Sequence, residues 1–130
     1  SWFRKHGYKK VDKDGMSVLM WKPCSDAARP PIWVKLRKRP SKHGGVVTVT
    51  SFNSGWCYAG NMVHERAKRA SSMFGDRVRF EFVDTMDRAT MLEWGISDAL
   101  FVDGKQVRTG PPPSFDKIRG IIERRVRKLG

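Results

Sequence analysis

The chain has 130 residues, a formal net charge of +13, 39% hydrophobic residues and 11% aromatic residues. Its length fits one compact domain with an appendage, and its apolar content excludes a disordered chain. No apolar run approaches the roughly 18 residues that span a membrane. The start SWFRKHGYKK has no signal-peptide h-region and no initiating Met, as in a fragment of a longer protein. Two cysteines, Cys24 and Cys57, do not make a disulfide framework, and free thiols fit a cytoplasmic protein.

The positive charge is concentrated in the first third of the chain. Residues 1–45 hold 12 Lys and Arg against 3 Asp and Glu, whereas residues 46–130 hold 14 against 10. An asymmetry of this size favours an acidic partner, a nucleic acid or another domain as the neighbour of the N-terminal third.

Residues 1–23 predict the end of a helix followed by a β-hairpin. Residues 2–6 form the last helical turn, which Gly7 ends. Two short strands over 8–12 and 16–22 flank an Asp-Gly pair, whose glycine tolerates the positive φ of a tight turn.

Residues 24–44 have the composition of a basic linker. They are rich in proline and small polar residues, and the alternation over 32–37 predicts a strand within the linker. A candidate binding surface in this segment consists of Trp33, Lys35, Arg37, Lys38 and Arg39. Cationic side chains beside an aromatic ring are typical of single-stranded nucleic-acid binding. The sequence has no RNP or KH signature, which favours a solvated linker face or a contact with an acidic surface instead.

Residues 45–130 alternate strand and helix patterns. The hydrophobic periodicity predicts a strand over 46–50, a helix over 57–74, a strand over 78–83, a short helix over 87–94, strands over 99–102 and 106–108, and a last helix capped by Ser114. The order β-α-β-α-β-β-α indicates an α/β domain with a mixed sheet and helices on both faces. The first two strands are expected to be parallel and the last two to form an antiparallel hairpin.

Two motifs within residues 45–130 resemble those of thioredoxins. One is Phe52-Asn53-Ser54-Gly55-Trp56-Cys57, which is similar to the entry of the Trp-Cys-x-x-Cys site. The other is Asp98-Ala99-Leu100-Phe101-Val102-Asp103-Gly104-Lys105, which resembles a Pro-Ala-Leu-Phe-Val-Asp-Gly-Lys hairpin. The resemblance implies a thioredoxin-like fold with Cys57 at the front of its first helix. Gly60 stands where that family has its second cysteine, and Asp98 stands where it has its cis-proline.

The first 23 residues resemble another family. They contain Trp2-Phe3-Arg4-Lys5-His6-Gly7-Tyr8-Lys9-Lys10-Val11 and Val18-Leu19-Met20-Trp21-Lys22, similar to the helix end, turn and two strands that close GNAT-type N-acetyltransferases. Together the resemblances imply the C-terminal region of a YoaP-type protein, in which a GNAT domain precedes a thioredoxin-like (YoaP-like) domain. Members of that family hold acetyl-CoA on an Arg/Gln-x-x-Gly-x-Gly/Ala loop, which this sequence lacks. Acetyl-CoA is therefore expected to bind only in an upstream GNAT domain, and this region alone is not expected to be catalytic in acetyl transfer.

Cys57 is the candidate catalytic residue of a monothiol mechanism. The N–H groups at a helix N-terminus favour a thiolate, which can attack a disulfide. Because Gly60 replaces the second cysteine, the resolving thiol would come from glutathione, Cys24 or another protein. A neighbouring Asp98 carboxylate would oppose the thiolate. The alternative is a domain that has lost redox activity, in which Cys57 is a small packed residue.

No metal site is predicted. The histidines His6, His43 and His64 share no ligand spacing with one another or with the cysteines. His64 follows Cys57 by two helical turns, which favours a surface histidine over a catalytic Cys–His pair.

The sequence favours an accessory thioredoxin-like domain of a GNAT-type acetyltransferase that binds a substrate or partner. A monothiol redox protein using Cys57 is the second hypothesis, and a basic nucleic-acid-binding module is the third. The aromatic residues Trp2, Phe3 and Trp21 are expected to be exposed within this chain and to pack against the upstream GNAT domain. No membrane partner is predicted.

Overall fold

The computed structural model describes residues 1–108 and 110–130. The chain divides into two compact units, Ser1–Lys35 and Leu36–Gly130. The second unit therefore begins inside the segment that the sequence predicts as a linker.

The first unit contains a short helix and a two-stranded sheet. Helix α1 spans Trp2–Lys5, and strands β1 (Lys9–Asp14) and β2 (Ser17–Trp21) pair antiparallel. The predicted helix end and strand pair are confirmed. The hairpin turn lies slightly later than predicted, because Asp14 already pairs with Ser17 and Gly15 supplies the positive φ of +55°.

The strand predicted over residues 32–37 is wrong, since no strand is formed there. Backbone N–H groups of this segment donate hydrogen bonds to acceptors other than the backbone of a β-strand. The N–H of Trp33 donates to a carboxylate oxygen of Asp12 at 2.8 Å, and the N–H of Arg37 donates to the Trp94 carbonyl at 2.9 Å. The bond from Trp33, with a second from the Lys13 N–H, lowers the pKa of Asp12. Alternation of apolar residues favours a strand only where another strand offers its edge.

The second unit is built on a four-stranded mixed sheet. Its elements are β3 (Val47–Asn53), α2 (Tyr58–Ser72), a 3-10 turn (Gly75–Arg77), β4 (Val78–Asp84), α3 (Arg88–Trp94), β5 (Ala99–Val102), β6 (Lys105–Val107) and α4 (Phe115–Arg127). The strand order is β4-β3-β5-β6. As predicted, β3 and β4 are parallel and β5 and β6 form an antiparallel hairpin. Strand β5 also pairs antiparallel with β3, which places β3 inside the sheet.

The sheet is covered on both faces. Strand β3 is buried along six of its seven residues, and its side chains alternate between two apolar clusters. The larger cluster joins Val47 and Val49 to residues of α2 and α4, including Val63 and Ile122. The smaller cluster joins Phe52 to Ile96, Ala99 and Phe101, with Val83 and Trp94 against them. Helices α2 and α4 therefore lie on one face, and the end of α3 lies on the other.

Each helix of the second unit begins at a side-chain cap. Cys57 Sγ, an Asp87 carboxylate oxygen and Ser114 Oγ accept the N–H groups of Gly60, Thr90 and Lys117, as N-cap residues do. Helix α3 ends at Gly95, whose φ is +70°. None of the described helices has the length and apolar character needed to cross a membrane.

Candidate functional site

Cys57 stands at the junction between β3 and α2. Strand β3 ends at Asn53, a three-residue loop follows, and Cys57 is the N-cap of α2 with an extended φ of −93°. Its Sγ accepts a hydrogen bond from the N–H of Gly60 at 3.3 Å. The thiol is free and exposed. The alternative that Cys57 is a packed residue is therefore wrong, because a cap that follows a tight loop projects into solvent.

The loop before Cys57 is fixed by the carboxylate of Asp98. Ser54 donates its N–H to one oxygen of this carboxylate at 3.1 Å and its hydroxyl to the other oxygen at 2.9 Å. Ser97 donates its hydroxyl to the second oxygen as well, at 2.9 Å. Ser54 is only 7% exposed, so its polar groups depend on this acceptor. Asp98 thus ties the start of β5 to the loop that positions Cys57.

The same carboxylate closes position 60. A Cβ atom at Gly60 would lie 2.6 Å from Asp98 Oδ1, 3.0 Å from its Cγ and 3.2 Å from its Cβ. The carboxylate cannot swing away freely, because the two serines hold both of its oxygens. Any side chain at position 60, including a second cysteine, would collide with it. The two departures from the thioredoxin motifs, Gly60 and Asp98, are therefore one structural feature.

A cavity of about 190 Å³ opens between the start of α2 and the start of β5. It is lined by Ser51, Phe52, Cys57, Ala59, Gly60, Val63, Asp98, Ala99 and Gly110. The structure thus brings Cys57, Gly60 and Asp98 to one place, as the sequence predicts. Trp56 and Tyr58 flank the cysteine in the chain and are 82% and 79% exposed. The site therefore offers one thiol, one carboxylate and two exposed aromatic rings.

His64 has a role that the sequence did not reveal. It is partly buried rather than on the surface, its Nδ1 lies 2.8 Å from the Oγ of buried Ser51, and its ring contacts those of Phe80 and Phe82. Burial lowers the pKa of His64. The sequence feature that could have indicated this role is Ser51. It is a polar residue on the face of β3 that α2 covers, so it needs a hydrogen-bond partner on that helix.

The candidate basic surface in residues 33–39 is partly neutralised. Lys35 Nζ lies 3.5 Å from an Asp12 carboxylate oxygen in the first unit. In the second unit Lys38 forms an ion pair with Glu93 and lies 4.1 Å from the centre of the Trp94 ring. Trp33 is exposed, at 37%. Two of the four cations are therefore neutralised, whereas Arg37 and Arg39 have no ion pair within residues 1–108 and 110–130.

The remaining candidate thiol is that of Cys24. Cys24 is free and exposed within the first unit. Among residues 1–108 and 110–130, no three His, Cys, Asp or Glu side chains are grouped so that they could hold a metal ion.

No protein-family model matches the chain, and no curated protein matches it.

We expect Gly60→Ala to destabilise the protein, although alanine normally favours a helix by about 1 kcal/mol over glycine. The collision with Asp98 is an overpacking defect of roughly 1–3 kcal/mol. In an Asp98→Ala background the same change should become stabilising, because the space is then open. Urea unfolding of the four proteins measures this reversal of sign.

Gly120→Ala in α4 is the matched control. The atom nearest to a Cβ there is Arg124 Nη1 at 3.8 Å, an ordinary contact. This variant should gain about 1 kcal/mol. An equal rise in the free energy of unfolding for the single variants Gly60→Ala and Gly120→Ala would contradict the collision between Asp98 and a side chain at position 60.

We expect the free energy of unfolding to fall as the pH drops below about 6.5, the ordinary pKa of histidine. The native state holds the pKa of His64 below that value, so the unfolded chain takes up the proton first. The loss should continue down to the lowered pKa of His64. The pKa values of Asp12 and Asp87 are also lowered. These two carboxyl groups change the free energy of unfolding only below about their ordinary pKa of 3.8.

His64→Gln should flatten this part of the curve. Identical pH dependence in the wild type and His64→Gln would show that His64 is not the group responsible.

Proposed function

We propose that residues 45–130 form a thioredoxin-like domain that binds a substrate or partner, as the accessory domain of a cytoplasmic GNAT-type N-acetyltransferase. The order of strands and helices supports the fold assignment. So does the position of the two motifs, since Trp56 and Cys57 precede α2 and Asp98 immediately precedes β5.

The main support for a binding role is that the Asp98 carboxylate leaves no space for a side chain at position 60. An intramolecular dithiol cycle needs a second thiol next to the first, and the Asp98 carboxylate occupies that space. What remains at the surface is a cavity of about 190 Å³ beside two exposed aromatic rings. Exposed tyrosine and tryptophan side chains are enriched where proteins bind other chains. The site is thus better suited to recognition than to dithiol exchange.

The first unit supports the acetyltransferase assignment. Helix α1, the turn at Gly7 and the antiparallel pair of β1 and β2 are the elements that the GNAT resemblance implies. Trp2 and Phe3 are 62% and 50% exposed, while Trp21 is partly buried. In this proposal Trp2 and Phe3 pack against the upstream GNAT domain, which would hold acetyl-CoA. The upstream coding sequence provides a direct test, because it must encode a pyrophosphate-binding loop.

Monothiol redox chemistry at Cys57 is the second candidate. The Cys57 Sγ is exposed at the start of α2 and accepts the N–H of Gly60 at 3.3 Å, so an attacking disulfide can reach it. In the first step the Cys57 thiolate attacks the glutathione sulfur of a protein–glutathione mixed disulfide, which forms a disulfide between Cys57 and glutathione and releases the protein thiolate. The thiolate of a second glutathione then attacks the glutathione sulfur of the Cys57–glutathione disulfide, which releases glutathione disulfide and regenerates Cys57. No second thiol of this chain is needed.

We expect a phage-displayed peptide library selected on the wild-type protein to yield peptides that require the aromatic pair. Trp56→Ala with Tyr58→Ala should abolish their binding, because the two rings provide the exposed apolar contact. Met73→Ala is the control, since Met73 is also exposed, at 58%, and lies just beyond the end of α2. The binding role is excluded if no enrichment occurs, or if enriched clones bind the aromatic double variant equally well.

We expect glutathione disulfide to modify Cys57 faster than Cys24 at neutral pH, because only Cys57 caps a helix. Both thiols are exposed, so Cys24 is an internal control in the same molecule. Peptide mass spectrometry over time measures each rate, and Cys57→Ser should remove the faster one. Equal rates at the two cysteines would argue against monothiol activity.

A further inference from the structure

A second and larger cavity lies between strand β6 and helix α4. Its volume is about 400 Å³. The lining consists of Val102, Lys105, Gln106, Val107, Arg108, Lys117, Ile121, Arg124, Arg125 and Lys128. We call this cavity the β6–α4 groove. It shares no lining residue with the cavity beside Cys57.

Six of the ten residues lining the groove are cationic, and none is acidic. Lys105 and Arg108 come from the strand side, and the other four come from α4 and its C-cap, Lys128. No ion pair involves any of the six within residues 1–108 and 110–130. Two other arginines of α4 do have acidic partners: Arg119 lies 3.2 Å from Asp116, and Arg127 lies 3.0 Å from Glu123. The groove therefore concentrates uncompensated positive charge.

The charge follows one stripe of the helix. Lys117, Ile121, Arg124 and Lys128 are spaced by four, three and four residues, so their side chains share a face. At a rise of about 1.5 Å per residue this stripe is about 16 Å long. The strand-side cations face it across an aliphatic floor. Cations on both sides of an aliphatic floor match an elongated anion with closely spaced charges.

We propose that the β6–α4 groove binds the phosphate backbone of a single-stranded nucleic acid. A nucleic acid carries one charge at every nucleotide, and its binding is driven by the release of condensed counterions. An acidic peptide would depend more on apolar burial. Six of the ten lining residues are cationic and three are aliphatic, so charge dominates the lining. The volume of about 400 Å³ is that of a site for a drug-sized molecule, so a short segment of one strand fits in it.

The absence of aromatic residues from the lining decides the mode of binding. Bases bound by single-strand proteins usually stack on aromatic rings. Without such rings, recognition rests on the backbone, so binding is independent of sequence and falls steeply with salt. The site is also distinct from the basic segment 35–39, where Lys35 and Lys38 are already paired with Asp12 and Glu93.

The experiment measures fluorescence anisotropy of a labelled RNA of about 12 nucleotides, within the site sizes of single-strand binders. Titrations run between about 50 and 200 mM salt. Arg124→Gln with Arg125→Gln should weaken binding about tenfold at the lower salt concentration. It should also reduce the slope of log K against log salt by about 0.7 for each lost phosphate contact.

Arg119→Gln with Arg127→Gln is the matched control. It removes two charges from the same helix, but these arginines lie outside the groove. Affinity and slope should stay close to the wild type. Circular dichroism establishes that both variants fold.

Three results would overturn the proposal. The first is an equal loss in both double variants, which would mean that net charge alone attracts the RNA. The second is a slope that Arg124→Gln with Arg125→Gln leaves unchanged. The third is tighter binding of a labelled poly-glutamate peptide of equal charge, which would assign the groove to an acidic protein partner.

Discussion

The burial of strand β3 on both faces is the constraint on which the second unit depends. Residues 47–52 are all buried, so apolar cover is required above and below the sheet. Helices α2 and α4 supply one cover, and the end of α3 supplies the other with Phe52, Ile96 and Phe101. Because α2 must begin where β3 ends, Cys57 is placed at the edge of the covered sheet. The exposed thiol is thus a consequence of how the most buried strand is connected.

Within that frame, Asp98 determines what the thiol can do. Its carboxylate satisfies the buried Ser54 and at the same time fills the space beside Gly60. A second cysteine at position 60 is compatible with this backbone only if the carboxylate is removed, and removal leaves Ser54 without its acceptor. Such a buried polar group costs about 1–3 kcal/mol. The stability of the loop and the exclusion of a second cysteine at position 60 are therefore coupled through Asp98.

Local patterns predicted most of the second unit. The β-branched run of β3, the apolar stripe of α4 and the caps at Asp87 and Ser114 are each determined by neighbours in sequence. The failures concern contacts between distant residues. Residues 32–37 alternate like a strand but have no edge to join. His64 is partly buried because Ser51, on another element, faces it. The collision between Asp98 and position 60 likewise depends on how two elements approach each other, which no local pattern contains.

The distribution of charge shows the same limit. Counted along the chain, positive charge is densest in residues 1–45, yet Lys35 and Lys38 lie beside acidic partners there. Residues 46–130 are closer to neutral, but one face of α4 and the end of β6 place six cations in one groove. None of the six has an ion pair within the described residues, 1–108 and 110–130. Strand β5 separates this groove from the cavity beside Cys57: its Ala99 lines the cavity and its Val102 lines the groove. All four residues of β5 are buried, and the two surfaces have no lining residue in common. Because the effects of substitutions that share no partners usually add, changes at one surface are expected to act independently of changes at the other.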